Sequence, residues 1–240
     1  SNYTCLLNPN NDCSQCTHTR KKPCEERDAC LYRIAKIRAL GSSFKVLNNA
    51  YCLTEFNGPG RFSGEKLIII DEADVLENVL IGFVSLSFTE RSLYRLGLSE
   101  GPSRKTPNSR VGIDPWKEFG YTALQRAKEI LKQLEKEITS WETVTHNSQF
   151  DTLKERDYFK NLSDRAQMFV DNVDETWRME ETERVGSAQG KISFRPLWIT
   201  PGLAEQFLWH HSSESWVLMS ASFLPMPIEC QRLGIDRLNV

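Results

Sequence analysis

The chain has 240 residues, is 40% hydrophobic and carries a formal charge of −2, which is enough apolar content for a sizeable core, or one core with a smaller appended module. A charged fraction of 26% with 10% aromatic residues excludes a disordered chain, and only 13 glycines and 10 prolines exclude a collagen-like or linker-like one. No apolar run approaches the roughly 18 residues needed to cross a membrane, and no basic-then-apolar leader opens the sequence, so neither a membrane partner nor a secretory route is expected.

Five of the seven cysteines, Cys5, Cys13, Cys16, Cys24 and Cys30, fall in the first 30 residues. A cluster at one end of such a chain reads as a metal site rather than a disulfide framework. The same segment is polar and shows no hydrophobic period, so a metal or cross-links must hold its shape. Cys52 and Cys230 lie in apolar surroundings and are expected to be core thiols. Residues 29–40, ACLYRIAKIRAL, set Leu31, Ile34, Ile37 and Leu40 at helical spacing, and Gly41 ends the pattern. Residues 44–53, FKVLNNAYCL, begin with a short strand candidate. Residues 58–66, GPGRFSGEK, read as a turn.

The run Leu67, Ile68, Ile69, Ile70 is continuously apolar, as a strand buried on both faces of a parallel sheet is. It ends in three acids, Asp71, Glu72 and Asp74. Residues 98–115 read as a loop, and residues 121–141 as an amphipathic helix with Leu124, Ala127, Ile130, Leu131, Leu134 and Ile138 on one side. A second helical stretch is expected over residues 151–183, broken near Asn161, with Trp141, Phe159, Phe169 and Trp177 in the core. Residues 191–199 read as a strand, 201–211 as a short helix, and 215–223, SWVLMSASF, as a buried strand ending in small hydroxyl residues. The helical region thus reads as an insertion between two parts of one sheet domain. Charge follows the same division: the first 50 residues have 8 basic and 4 acidic side chains (+4), and residues 115–190 have 11 and 15 (−4).

An apolar strand that runs straight into D-E-A-D is the strongest chemical signal. In a phosphate-loop motor the first acid holds Mg²⁺ beside the nucleotide phosphates, because that ion takes hard oxygen ligands, and the second polarises the attacking water. The plainer alternative is that Asp71 and Asp74 only cap the helix that follows. The partner motif, G-x-x-x-x-G-K-[ST], is not in these 240 residues; the nearest imitation has Glu65 after Gly64. A complete nucleotide site is therefore not expected within this chain.

Five segments, in order, resemble the XPD/DinG-like superfamily 2 iron–sulfur DNA helicases: NYTC (2–5), PCEERDACLYRIAKIRAL (23–40), VLNNAYCL (46–53), LIIIDEADVLE (67–77) and WVLMSASF (216–223). The resemblance implies an α/β fold: a partial RecA-like P-loop motor domain, a cysteine-rich iron–sulfur domain and a mainly helical arch insertion. The implied divisions are 1–43 for the cluster domain, 44–84 and 191–240 for the two motor parts, and 85–190 for the arch. Walker A would lie before residue 1 and the second motor domain after residue 240.

The resemblance further implies that Cys5, Cys16, Cys24 and Cys30 hold a [4Fe–4S] cluster, with Cys13 competing with Cys16; by spacing alone the Cys13–Cys16 pair would also suit zinc. Asp71 and Glu72 would serve Mg-ATP, and Asp74, Ser220 and Ser222 would link nucleotide state to movement on DNA. Arg20, Lys21, Lys22, Arg33, Lys36 and Arg38 would meet DNA phosphates, a contact that needs only charge and reach. Tyr3 and Tyr32 would stack on bases or pack beside the cluster, while His210 and His211 are structural. The implied partners are single-stranded and forked DNA and ATP, with a monomer in the cytoplasm near the nucleoid. Three positions depart from the family pattern: Asp74 and Asn49 stand where His is usual, and Ser222 where Thr is usual. Two other classes stay open: a non-catalytic iron–sulfur or zinc nucleic-acid-binding module, and a nuclease or CRISPR-associated accessory protein on the same fold.

Overall fold

A computed structural model describes residues 3, 6, 28–62, 64–98, 102, 113–141, 147–182, 190–210, 214–222 and 226–235. It is a mixed α/β chain, and none of its described helices is long and apolar enough to cross a membrane. Two compact units emerge. One joins Ser1–Val46 to Ala127–Asn161, the other Leu47–Arg126 to Leu162–Val240. Helices α5 (Asp114–Thr139) and α6 (Asn147–Asn172) run through both.

In the first unit, α1 spans Leu31–Gly41, as its period predicts. Of its apolar stripe, Ile34 is partly buried, and Leu31, Ile37 and Leu40 are exposed. The extended stretch before Asn48 forms no strand, and Phe44 and Val46 stand in solvent. The strand expected there loses to a helix cap. Asn48 accepts the backbone N–H of Tyr51 (2.7 Å) and starts α2, Asn49–Phe56, in the second unit.

The second unit holds two sheets. β1 (Leu67–Ile70) pairs in parallel with β5 (Ser215–Leu218), register Leu67↔Ser215 to Ile70↔Leu218. β2 (Leu86–Thr89), β4 (Lys191–Pro196) and β3 (Trp177–Thr182) form an antiparallel sheet in that spatial order. Strand 191–196 was expected in one sheet domain with Leu67–Ile70; it pairs instead with strands drawn from the segment expected to be helical arch. The expected helix over 151–183 also needs correction. α6 passes Asn161 unbroken and stops at Asn172, after which Asp174 accepts both the backbone N–H (2.8 Å) and the hydroxyl (2.6 Å) of Thr176. That turn chemistry reverses the chain into β3.

The antiparallel sheet buries its inner face in an aromatic core. Phe194 lies 4.9 Å from Phe169, 5.4 Å from Trp116 and 5.8 Å from Phe119 between ring centroids, and Phe88 lies 5.3 Å from Phe119. Such pairs contribute roughly 0.5–1.5 kcal/mol each beyond area burial. Of the aromatics expected in the core, Phe159, Phe169 and Trp177 are buried, and Trp141 is partly so. The guanidinium of Arg126 on α5 closes the end of α4 (Glu90–Arg95) by donating to the carbonyls of Leu96 (2.6 Å) and Gly97 (2.8 Å). Arg165 on α6 donates to Ser85 (2.9 Å) behind α3, Leu76–Val84, and its burial lowers its pKa from the usual value.

The parallel pair is covered differently. Ile70 is buried, but Leu67 and Ile69 are half-exposed, as are Val217 and Met219 beside them. Burial on both faces was expected for this strand. Among the described residues only two strands form this sheet, and one face has no layer over it. On β5, Trp216 meets Phe56 of α2 (6.3 Å between ring centroids) and Trp209 (5.0 Å), which follows the helix α7 (Pro201–Ala204). Thr200 caps α7, accepting the N–H of Leu203 (3.3 Å), with Pro201 at its first position. The helix then widens into a π turn over Glu205–Trp209. Asn57 offers its amide to the carbonyls of Phe207 (2.9 Å) and Leu53 (3.0 Å), tying α2 to that turn. Of the two expected core thiols, Cys230 on α8 (Met226–Leu233) is buried, and Cys52 is partly buried with its thiol pushed up to about 11 by desolvation.

Candidate functional site

The carboxyl ends of β1 and β5 lie side by side because the two strands are parallel and in register. In open parallel sheets this edge is where ligands bind. Two backbone bonds extend the pairing past the strands: Met219 N–H to Ile70 O, and Ala73 N–H to Met219 O, both 2.9 Å. They hold the acidic turn after β1 against the hydroxyl turn after β5.

The acidic turn is tight. Asp71 accepts the backbone N–H of Glu72 (2.9 Å) on Oδ1. Glu72 sits at φ 52°, ψ 45°, the left-handed region, and is the sole non-glycine residue with positive φ among the described residues. That conformation costs a residue with a Cβ about 1–2 kcal/mol. A short 3₁₀ turn, Ala73–Val75, follows. Ala73 is buried beneath it, which leaves Asp71, Glu72 and Asp74 exposed above.

Asp74 is the meeting point. The Ser220 hydroxyl donates to its Oδ1 (2.5 Å) and the Ser222 hydroxyl to its Oδ2 (3.3 Å), while Ser222 N–H donates to Ser220 Oγ (3.2 Å). Both carboxylate oxygens are thus occupied by the β5 turn. The three acids of the tetrad therefore divide: Asp74 faces the serines, whereas the Glu72 carboxylate has no hydrogen-bond partner among the described residues.

No family model matches this chain, and no curated protein matches it. What the turn can do is read from its own chemistry. Asp71 and Glu72 expose carboxylate oxygens of the kind that a hard cation or a water takes, and Asp74 ties the acidic turn to the β5 turn.

The hydrogen bond from Ser220 holds the Asp74 carboxyl below the ordinary carboxylate pKa; desolvation opposes this, and its own backbone N–H and Ser222 add to it. A depressed folded-state value means that the two serine bonds contribute above the unfolded pKa and are lost as pH falls through the lower one. A Ser220→Ala variant is expected to return Asp74 toward the usual value. A carbon-detected NMR titration of the Asp74 carboxyl reads this directly, and an unmoved midpoint would show that the hydroxyl does not hold the carboxylate.

Cys30 is a free, partly buried thiol in the residue before α1, where its carbonyl accepts the Ile34 N–H (2.9 Å). Cys5, Cys13, Cys16 and Cys24, and with them Arg20, Lys21 and Lys22, lie outside the described residues. On α1, Arg33 is paired with Asp28 (2.6 Å) and Lys36 lies over the Tyr32 ring (5.9 Å to its centroid). Arg38 is exposed in the last turn. The Tyr3 and Tyr32 rings touch each other at 6.3 Å. His210 is exposed, and its backbone N–H closes the π turn onto Glu205 O (2.7 Å); His211 lies outside the described residues.

Proposed function

We propose that this chain is part of an ATP-dependent DNA helicase of the iron–sulfur, XPD/DinG-like kind, which couples Mg-ATP hydrolysis to travel along single-stranded DNA and to opening of forked duplexes. The observation that carries the reading is the link from Asp74 to Ser220 and Ser222 across the ends of two parallel strands. A turn of this build lets one set of residues report hydrolysis to another. Asp71 would hold the metal of Mg-ATP, whose charge would offset that of the phosphates. Glu72 orients and deprotonates the attacking water. Asp74 passes the change to Ser220 and Ser222, and the β5 turn moves with it. The phosphate-binding loop comes from outside these 240 residues. Cys30, Cys5, Cys24 and Cys16 or Cys13 hold the cluster, which fixes the shape of an otherwise polar segment.

The reading predicts uncoupling. In the polypeptide that joins this chain to a phosphate-binding loop, Ser220→Ala with Ser222→Ala is expected to leave DNA-stimulated ATP hydrolysis within a few-fold of wild type. Strand separation on a forked duplex is expected to fall at least ten-fold. Loss of both together, or of neither, would sink the coupling role. No ATP hydrolysis in the wild-type protein with single-stranded DNA present would favour a non-catalytic nucleic-acid module instead.

The cluster is tested separately. Anaerobic preparation is expected to give about four irons and four sulfides per chain with a broad absorption near 400 nm. Cys30→Ser is expected to abolish it. One zinc and no sulfide would overturn the assignment.

A further inference from the structure

The outward face of the antiparallel sheet is built from alternate residues: Ser87 and Thr89 on β2, Arg178, Glu180 and Thr182 on β3, and Lys191, Ser193 and Arg195 on β4. Three bases and one acid give this face a charge of +2 on a chain whose total is −2. The arginines are not spread out. Arg178 and Arg195 stand directly opposite each other across the β3–β4 ladder. Like charges in that position destabilise a sheet. A single oxygen, Glu180 Oε1, is ion-paired with Nη2 of both, at 2.7 and 2.9 Å. The remaining charge is one unit positive. Nε of each arginine is covered and has no hydrogen-bond partner among the described residues, although the side chains themselves are about two-fifths exposed at 41% and 39%. Two planar guanidinium groups sharing one carboxylate oxygen form an unfinished ion cluster, and what completes such a cluster is an anion with several oxygens.

A second feature stands at the same end of the sheet. Leu197 N–H donates to Thr176 O (2.8 Å), so the chain leaving β4 stays against the chain entering β3. Trp198 follows, three residues from Arg195, and is 47% exposed. Three residues reach no more than about 11 Å. An exposed aromatic within about 11 Å along the chain of a positive patch supplies the two contacts that hold a single strand: bases stack, phosphates pair.

We infer that this sheet face is a phosphate-binding surface for single-stranded nucleic acid, with Arg178 and Arg195 on the backbone and Trp198 under a base. The choice of nucleic acid over another polyanion rests on the helicase reading above; the phosphate site itself stands on the sheet. Ser193 and Ser87, whose hydroxyls lie 3.0 Å apart, and Lys191 extend the track along the face.

The test uses the chain with a fluorescein-labelled oligothymidylate and anisotropy measured between about 50 and 200 mM salt, where phosphate contacts show as a slope. Arg178→Ala with Arg195→Ala is expected to weaken binding at least ten-fold at the low end. It should also flatten the log–log salt slope by about 1.4, or roughly 0.7 for each phosphate lost from a single strand. Arg178→Lys with Arg195→Lys keeps the charge and is expected to keep the slope, which separates lost contacts from lost folding. Trp198→Ala is expected to weaken binding roughly 5- to 100-fold at an unchanged slope. A double alanine variant with the wild-type slope overturns the inference. If the loss instead follows Arg33→Ala, Lys36→Ala and Arg38→Ala alone, the inference falls while the helicase reading survives. Binding of inorganic polyphosphate through Arg178 and Arg195 without binding of oligothymidylate leaves the phosphate site standing and removes DNA as its ligand. Binding of neither probe overturns the inference.

Discussion

Replacing Glu72 with glutamine is expected to lower DNA-stimulated ATP hydrolysis by about 10²- to 10⁴-fold and to leave ATP binding nearly unchanged. Glutamine keeps the shape and one oxygen of the side chain but cannot take a proton from water. Asp71, whose Oδ1 is fixed by the Glu72 backbone N–H rather than by its side chain, keeps its place in the variant. The backbone adds an independent readout. Glu72 occupies the left-handed region at φ 52°, where glycine is at ease and a residue with a Cβ is not. Glu72→Gly is therefore expected to stabilise the fold by about 1 kcal/mol while removing activity. A more stable, inactive variant is what strain kept for function produces. Rates from a phosphate-release assay and midpoints from thermal melts, taken on the same preparations, decide it. A Gln variant that hydrolyses ATP at the wild-type rate would remove Glu72 from the chemistry, and a Gly variant of lowered stability would remove the strain argument.

The reach of the sequence is uneven for physical reasons. LIIIDEAD and SWVLMSAS were readable because each sets a short apolar run against a sudden polar end. Their meeting is a long-range event: Asp74 and Ser220 are 146 residues apart, and only strand pairing brings them together. The long helix on residues 121–141 was readable because its buried positions, Ala123, Leu124, Ala127 and Leu134, keep one face over many turns. Of the antiparallel sheet, only the strand at 191–196 was. Its first strand is four residues, LSFT, too short for alternation to stand out, and its last, WRMEET, follows a 26-residue helix without a glycine or proline between them. β3 exists because β4 offers it a ladder and Trp177 a buried slot, neither of which is a local property. The facing of Arg178 and Arg195 is hidden in the sequence for the same reason. They are 17 positions apart, and their confrontation is a matter of register. The continuous run Leu67–Ile70 promised burial on both faces, yet composition describes what a strand tolerates, and the neighbours decide what it receives.

Gly120→Ala is expected to destabilise the protein although alanine is the better helix former. In the middle of α5, a glycine costs about 1 kcal/mol relative to alanine, so propensity alone favours the substitution. Space does not. A Cβ on residue 120 would stand 2.6 and 2.7 Å from two ring carbons of Phe169 and 3.1 Å from a methyl of Val170. Phe169 cannot yield easily, because it is fully buried with Trp177 at 5.4 Å and Phe194 at 4.9 Å. Overpacking of this kind costs about 1–3 kcal/mol, and clashes well inside normal contact put it at the upper end. The net effect is a loss of about 1–2 kcal/mol, or a melting temperature lower by roughly 2–8 °C for a chain of this size. Phe169→Leu on its own leaves a cavity and destabilises as well. Combined with Gly120→Ala, it makes room for the new methyl, so the double variant is expected to lose less than the sum of the two. Thermal melts of the four proteins close the cycle. A Gly120→Ala variant that melts higher than wild type would show that helix propensity wins and that α5 and α6 can separate to admit a methyl group.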